Sequence, residues 1–448
     1  MNDQRLEEAL NTFVDSPNDP TSGIYFYPKS EKFLIKDGRG KYIEYKQAYL
    51  RRKLRSQGFG QDDIANLVFD IQTNQVIDGY FEVAGHKTGI QEISDQRILI
   101  HREQKRIPLV KGNWPTVKKV LLNMLGEDQF EWFLGWLSFW AKAYYSYSWS
   151  PGQVLVLIGE PAAGKSLIQR YLSNLFGDKT ADPIAWMTGQ SEFNYELASS
   201  PHLAIEDRFA DSSKKVKDAI REHCKDIAVN EFHRFRGMYK EAIMLSPLWR
   251  ATISCNPTEE SMAVIPPVEE ATKNKVSLLW CSKHTMPMPT NTHDDKKKFM
   301  KQLMDEAPMF LNFLVNEISI DEKFKCPENR MGVSAYHHPK ALSCAEEASY
   351  CGQKMQLIQE TLSWFRNRYS DDHEHKDHFK DNIWKGKPGE ILAIFDLRRN
   401  FKEFRSAESI GKVLANRANL GSGEVVRHRD RSYSIKLRED YPEDSRGV

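Results

Sequence analysis

Long apolar runs are missing from this chain of 448 residues. The most apolar stretch, WFLGWLSFWAKA at 132–143, is bounded by Glu131 and Lys142. It falls well short of the ~20 residues a bilayer crossing needs, so it reads as a buried helix, and no membrane partner is expected. Cysteine is scarce: six residues, at 224, 255, 281, 326, 344 and 351, form no CxxC pair, which argues against a zinc ribbon and against a disulfide framework. The MNDQRLEEAL start lacks an apolar signal core, so the expected location is the cytoplasm in which the chain is made, a bacterial host's if a phage or mobile element encodes it. An excess of one charge is missing too. With 63 Lys and Arg against 62 Asp and Glu the net charge is +1, so any attraction to nucleic acid must come from a local basic face. What is present is ordinary for a folded protein: 40% hydrophobic and 28% charged residues exclude wholesale disorder. At roughly 150 residues per domain the length suggests about three domains.

Along the chain the pattern changes several times, and the fold class it predicts is α/β. Residues 22–46 alternate apolar and polar side chains around turn signals at Pro28–Ser30 and Asp37–Gly38, which predicts short antiparallel strands in a small N-terminal α+β domain over 1–110. A helical region over 111–150 follows, with Val117, Val120, Leu121, Met124, Trp132, Trp136, Phe139 and Trp140 at helical spacing. Its aromatics are expected in the core rather than in a ligand site. The core over 151–320 alternates strand-like runs (VLVLIG, HLAIED, WRATISC, VSLLWC) with amphipathic segments, the rhythm of a parallel sheet. Helical patterns at 297–317 and 353–369 precede a charged stretch, DDHEHKDHFKDN, read as a solvated linker within 321–384. Its His373, His375 and His378 lack the apolar frame of a metal site. The last segment, 385–448, is basic. Between 385 and 438 it holds 13 Lys and Arg against six Asp and Glu. Helices around Ile391–Phe395 and Ala407–Leu414, the latter capped by Ser406, lead to EVVRHR and SYSIKL joined at Asp430-Arg431, the order of a winged helix. DNA binding and protein packing both remain open for it.

The chemistry concentrates at VLVLIGEPAAGKSLIQRYL, where an apolar strand runs into Gly159-x-x-x-x-Gly164-Lys165-Ser166 and an amphipathic helix follows. The candidate nucleotide cradle is Gly159, Glu160, Pro161, Ala162, Ala163, Gly164, Lys165, Ser166 and Leu167. Glycines let backbone N–H groups close on phosphate oxygens, and the positive end of the helix adds to the attraction. Lys165 is expected at the β and γ phosphates of ATP, and the Ser166 hydroxyl on Mg²⁺. Hydrolysis also needs carboxylates at a neighbouring strand end. HLAIEDRF supplies Glu206, expected on the Mg²⁺ side, and Asp207, expected to activate water, since consecutive strand residues point to opposite sides. A third strand, Trp249–Cys255, ends at Asn256, whose amide could meet the γ phosphate or the lytic water. This is the layout of an additional-strand P-loop ATPase. Between the second and third strands, VNEFHRFRGMYKE crowds Asn230, His233, Arg234, Arg236 and Lys240 around Gly237, either a basic finger into a nucleic-acid channel or an ordinary solvated hairpin.

Taken in order, GEPAAGKS, AIED, the basic hairpin and TISCNP resemble the superfamily 3 helicases of small DNA viruses, phages and plasmids, whose core is an AAA+-type P-loop ATPase. The similarity is greatest to the helicase module of phage primase-helicase proteins. It covers roughly 110–320, and APMFLNFLVNEI at 307–318 resembles the helix that follows the ATPase core. The resemblance implies ring-shaped oligomers, usually homo-hexamers, that hydrolyse ATP with Mg²⁺ at subunit interfaces and draw one strand of single-stranded or forked DNA through the channel. It places Arg234, Arg236 and Lys240, with His233, on that channel. Where the family carries trans-acting arginines, this chain has EEATKNK, so Lys273 or Lys275 would substitute, with Arg250 as a further candidate. Lysine is a point charge without arginine's planar fork.

The expected function is therefore ATP-dependent DNA unwinding in phage or mobile-element replication. An ATP-switched origin recogniser or loader that does not unwind, and a protein-remodelling ATPase, are the alternatives. The first 110 residues are too few for a polymerising primase and show no paired aspartates at strand spacing, so a primase or polymerase would be a separate partner.

Overall fold

Short strand-forming runs need partners, and the computed structural model of the chain shows which they find. It describes residues 21–437 apart from 39, 94, 209–212, 239–241, 267, 326–329, 349, 369–377, 381, 399–403, 405 and 420–422. Contacts divide the chain into two units. One holds the chain up to Arg208 with Asp218–Asn256 and Glu269–His338; the other holds Pro257–Val268, the short segment ending at Lys217, and the chain from Pro339 onward.

In the first unit, β1 (Ile24–Tyr27), β2 (Lys32–Lys36) and β3 (Tyr42–Lys46) form the expected antiparallel sheet. Helices Gln47–Ser56 and Gln61–Asn74 cover it, burying Phe33, Ile35, Leu50, Leu54, Ile64, Val68 and Ile71 together. A second sheet, β4 (Gly79–Phe81), β5 (Gly89–Ile93) and β6 (Gln96–Ile100), has β6 in the middle, parallel to β4 and antiparallel to β5. The chain after β4 is tied to later segments: the Ala84 N–H donates to Ala198 O (2.8 Å) and Ala84 O accepts from the Leu248 N–H (2.9 Å).

Helices Pro115–Leu125 and Glu127–Ser146 follow. Gly126, with φ 73°, makes the corner between them. The tryptophans of the second helix are core, as their spacing predicts: Trp132, Trp136 and Trp140 are buried, Trp140 stacking on Phe176 with ring centroids 3.9 Å apart. The chain then runs β7 (Val154–Gly159), β8 (Thr180–Ala181), β9 (His202–Glu206), the hairpin β10 (His233–Phe235) and β11 (Ile243–Leu245), β12 (Arg250–Cys255) and β13 (Val276–Cys281). Five of these form one parallel sheet in the order β13-β7-β12-β9-β8. Being covered on both faces, its strands read as continuous apolar runs. The acidic strand β9 is not the direct neighbour of β7 that the sequence suggested, because β12 inserts between them, pairing Ile253 with Val156 on one side and with Ile205 on the other. The pattern at 297–317 is not one helix: His293–Asp305, with a Thr292 capping box, gives way to Ala307–Asn312, where Pro308 sits in the first turn.

In the second unit, helices Pro339–Ala348 and Tyr350–Arg368 precede β14 (Phe379–Lys380), β15 (Ile383–Gly386), helices Pro388–Leu397 and Ala407–Asn419, β16 (Val425–Arg427) and β17 (Tyr433–Lys436). The sheet order is β14-β15-β17-β16, all antiparallel. The Ser406 hydroxyl accepts the Ser409 N–H (3.3 Å), and Arg431, with φ 64°, closes the β16–β17 turn. Part of the linker reading therefore changes, since residues 379–380 are strand, held because Phe379 lies over Phe365 and pairs with buried Trp384. His378 contacts Lys385 O (2.7 Å); His373 and His375 lie outside the described residues. Among the described residues no helix is long and apolar enough to cross a membrane.

Candidate functional site

At the C-terminal end of the parallel sheet, β7 ends at Gly159 and the chain turns through Ala162 (φ 63°) and Gly164 (φ 94°) into the helix Lys165–Leu175. Two left-handed residues in three curl the backbone into a concave arc, and the first N–H groups of the helix have no intrahelical partner, so the arc suits an anion. Gly159 is required for packing as well: a Cβ there would lie 2.2 Å from Cys281 O on β13.

Lys165 is buried, and its ammonium donates to Gly159 O (2.6 Å), Glu160 O (2.9 Å) and Asn256 Oδ1 (3.0 Å). Asn256 leaves the end of β12, and its Nδ2 donates to Asp207 Oδ1 (3.3 Å) just past β9. The first residue of the loop helix and the residues just past two strand ends thus form one chain, Lys165–Asn256–Asp207. Asp207 has φ 40°, a conformation uncommon for an aspartate, held by its N–H donating to Ser254 O (3.2 Å). Glu206, the last residue of β9, is exposed beside it, and Ser166 is exposed in the first turn of the loop helix. A hydroxyl and two carboxylates are hard oxygen donors of the kind Mg²⁺ takes. Among the described residues no group of three His, Cys, Asp or Glu side chains gathers to hold a metal.

Beneath the loop lies a polar network that the sequence did not announce. Gln169 Nε2 donates to Thr252 Oγ1 (2.8 Å) and Ile205 O (3.2 Å). His202 contacts Thr252 Oγ1 (2.8 Å) through Nε2 and Ser173 Oγ (2.7 Å) through Nδ1. The network bolts the loop helix to β12 and β9. Burial pushes His202 down to about 3. Gln169 stands four residues after Lys165, on the apolar face of its helix, and a polar residue on that face was the available signal.

The remaining candidates separate. Arg234 is exposed on β10. Arg236 pairs with Glu192 (2.6 Å) and lies 6.0 Å from the Phe193 ring centre. Asn194 pins the strand, accepting from the Arg236 N–H (2.8 Å) and donating to Arg234 O (3.0 Å). His233, expected on the DNA face, is buried instead against Trp249 (4.8 Å) and Phe235, contacts Asn230 O (3.0 Å), and is pushed down to about 4 by burial. Strand alternation turns it inward while Arg234 points out. Lys240 lies outside the described residues.

Arg250 is not free to act on a partner's nucleotide: it is buried at the start of β12 and donates to Trp249 O (2.8 Å), Ser150 Oγ (2.9 Å) and Pro151 O (3.1 Å). Lys273 pairs with Glu270 (2.8 Å), and Lys275 donates to Ala271 O and Asn274 Oδ1 (both 2.9 Å). Lys275 directly precedes β13, so it lies a strand's length, roughly 17 Å at 3.3 Å per residue, from the Gly159–Ser166 loop.

No protein-family model matches the sequence, and no curated protein matches it. Solved structures do. Three, described as "The apo structure of NrS-1 C terminal region (305-718)", "The A form apo structure of NrS-1 C terminal region-CTR" and "The A form apo structure of NrS-1 C terminal region-CTR(305-718)", are similar with TM-scores of 0.55, 0.54 and 0.51. Sequence identity is 16%, 16% and 15%, over 93% of this chain and 97%, 97% and 96% of theirs. Across nearly its whole length, this chain shares the fold of the NrS-1 C-terminal region.

Proposed function

We propose that this chain is an ATP-driven DNA helicase of phage or mobile-element replication, working as a ring of identical subunits. The observation that carries the reading is the Lys165–Asn256–Asp207 chain at the mouth of a left-handed glycine loop. Backbone N–H groups of the loop and Lys165 hold the β and γ phosphates, Asn256 marks the γ end, and Asp207, oriented by Asn256, takes the proton of the attacking water. Ser166 and Glu206, with Asp207 nearby, would hold Mg²⁺, which when bound neutralises charge on the phosphate oxygens. Arg234 gives the hairpin an exposed cation, with Arg236 paired to Glu192, beside exposed Phe193 and Phe232, a grouping suited to the backbone and bases of single-stranded DNA. The basic stretch 385–438, with its helix, helix and β-turn-β order, adds a winged-helix-like duplex contact.

A second reading, an ATP-switched loader or origin recogniser without unwinding, is favoured by the local bonds that hold Lys273 and Lys275. ATP hydrolysis with and without single-stranded DNA, run beside a forked-duplex assay, separates the readings. DNA-stimulated hydrolysis with strand separation is expected. DNA binding with hydrolysis but no separation moves the assignment to the loader, and hydrolysis indifferent to DNA moves it to a protein remodeller.

A further inference from the structure

The γ end of the triphosphate, on the reading above, faces Asn256 and Asp207 on the β12 side of the loop. The nucleobase then falls on the opposite flank, beside β13. There the chain leaving β13 runs back over the loop. Ser282 N–H donates to Met124 O (2.9 Å), and a Cβ placed on Gly164 would meet Met286 Cε at 3.0 Å, Met124 Sδ at 3.5 Å and His284 Cε1 at 3.9 Å. Two thioethers and an imidazole thus border the loop where it enters its helix.

The imidazole is oriented to accept. His284 Nδ1 lies 3.0 Å from Ser282 O, and a carbonyl can only accept, so Nδ1 carries a proton, and in the Nδ1–H tautomer Nε2 is the acceptor. That Nε2 is buried and finds no hydrogen-bond partner among the described residues. Buried acceptors are normally paired, so an orphan beside a ligand cradle points to the ligand.

We propose that His284, with Met124 and Met286, forms the nucleobase pocket, and that Nε2 accepts the exocyclic N6 amine of adenine. Adenine presents a donor at that edge, whereas guanine in the same pose presents the O6 acceptor and sets acceptor against acceptor. The flexible, polarisable methionines give the ring apolar walls that adjust on entry. The pocket selects adenine nucleotides, because a site built to hydrogen-bond one group discriminates against ligands that lack it.

The test is equilibrium binding of ATP, GTP and inorganic tripolyphosphate to the full chain, to Lys165→Ala, and to His284→Ala and His284→Phe, the last keeping ring volume without the acceptor. Wild type should prefer ATP over GTP by about tenfold or more. Both His284 variants should lose that preference through weaker ATP binding, with GTP and tripolyphosphate unchanged, while Lys165→Ala should weaken all three ligands alike. Unchanged ATP preference in His284→Phe, or an equal loss for all three ligands, overturns the base contact while leaving the phosphate site intact. If Lys165→Ala changes none of the three, the nucleotide reading falls, and the base pocket with it.

Discussion

The Gly159–Ser166 loop and the basic hairpin are both short runs of candidate functional residues, yet they translate into structure differently. In the loop the geometry is carried by backbone: Gly164 and Ala162 take left-handed angles, and Lys165 has one place to go. In the hairpin the functional property is a list of side chains, and a strand sorts such a list by parity. His233 and Phe235 face in, Arg234 faces out, and Arg236 is engaged by Glu192. A motif defined by backbone conformation survives folding whole, whereas a cluster defined by composition is divided by it.

The hardest way to break this contrast is Lys165→Ala. Turnover should fall by at least about a hundredfold, as for loss of a preorganised charge at the reacting phosphate, with only a small change in thermal midpoint. Turnover within a few-fold of wild type would sink the site assignment. Acid stability comes next, and it sets the buried histidines of both regions against their exposed neighbours. His202, at about 3, and His233, at about 4, hold protons less readily folded than at the ordinary 6.5 of an unfolded chain. Below pH 6.5 the unfolded state binds the extra protons, so stability is full above that pH and is lost as pH falls toward 3 to 4. At pH 5 each histidine should cost about 2 kcal/mol relative to pH 7.5, at 1.36 kcal/mol per unit. Denaturant titrations at the two pH values check this, and His202→Gln should flatten the profile; an unchanged profile would place His202 in contact with water.

The finest test separates adjacent hairpin residues. His233→Ala should lower stability by about 2 kcal/mol and leave the salt dependence of single-strand binding alone. Arg234→Ala should spare stability and reduce the salt slope by about 0.7, the single-strand value per phosphate contact. If the two variants exchange these phenotypes, the inward and outward assignments are reversed.

Much of the parallel sheet was legible because doubly covered strands leave continuous apolar runs: VLVLIG, HLAIE, RATISC and VSLLWC are β7, β9, β12 and β13. The order of strands was less so, since nothing in one strand's composition states its neighbour. β4 and β14, of three and two residues, are too short to show a period. The positive charge of the C-terminal segment overstated its free cations, because Arg417 is buried between Glu346 (2.9 Å) and Glu424 (2.7 Å) as an internal clamp. Gln169, Thr252 and His202 were invisible as a group because they meet only when the loop helix crosses two strands.

Arg250 has one more consequence, for how this chain can vary. A Cβ on Gly152 would lie 2.3 Å from Arg250 Nε and 2.6 Å from its Cζ, so glycine and arginine occupy one volume by agreement. Either substitution alone leaves a clash or an unfilled space, whereas a double replacement can restore the fit, a non-additive pair in which each residue limits what the other can become. Relatives that lose the arginine should be the ones free to lose the glycine, and the two positions should drift through sequence space as one.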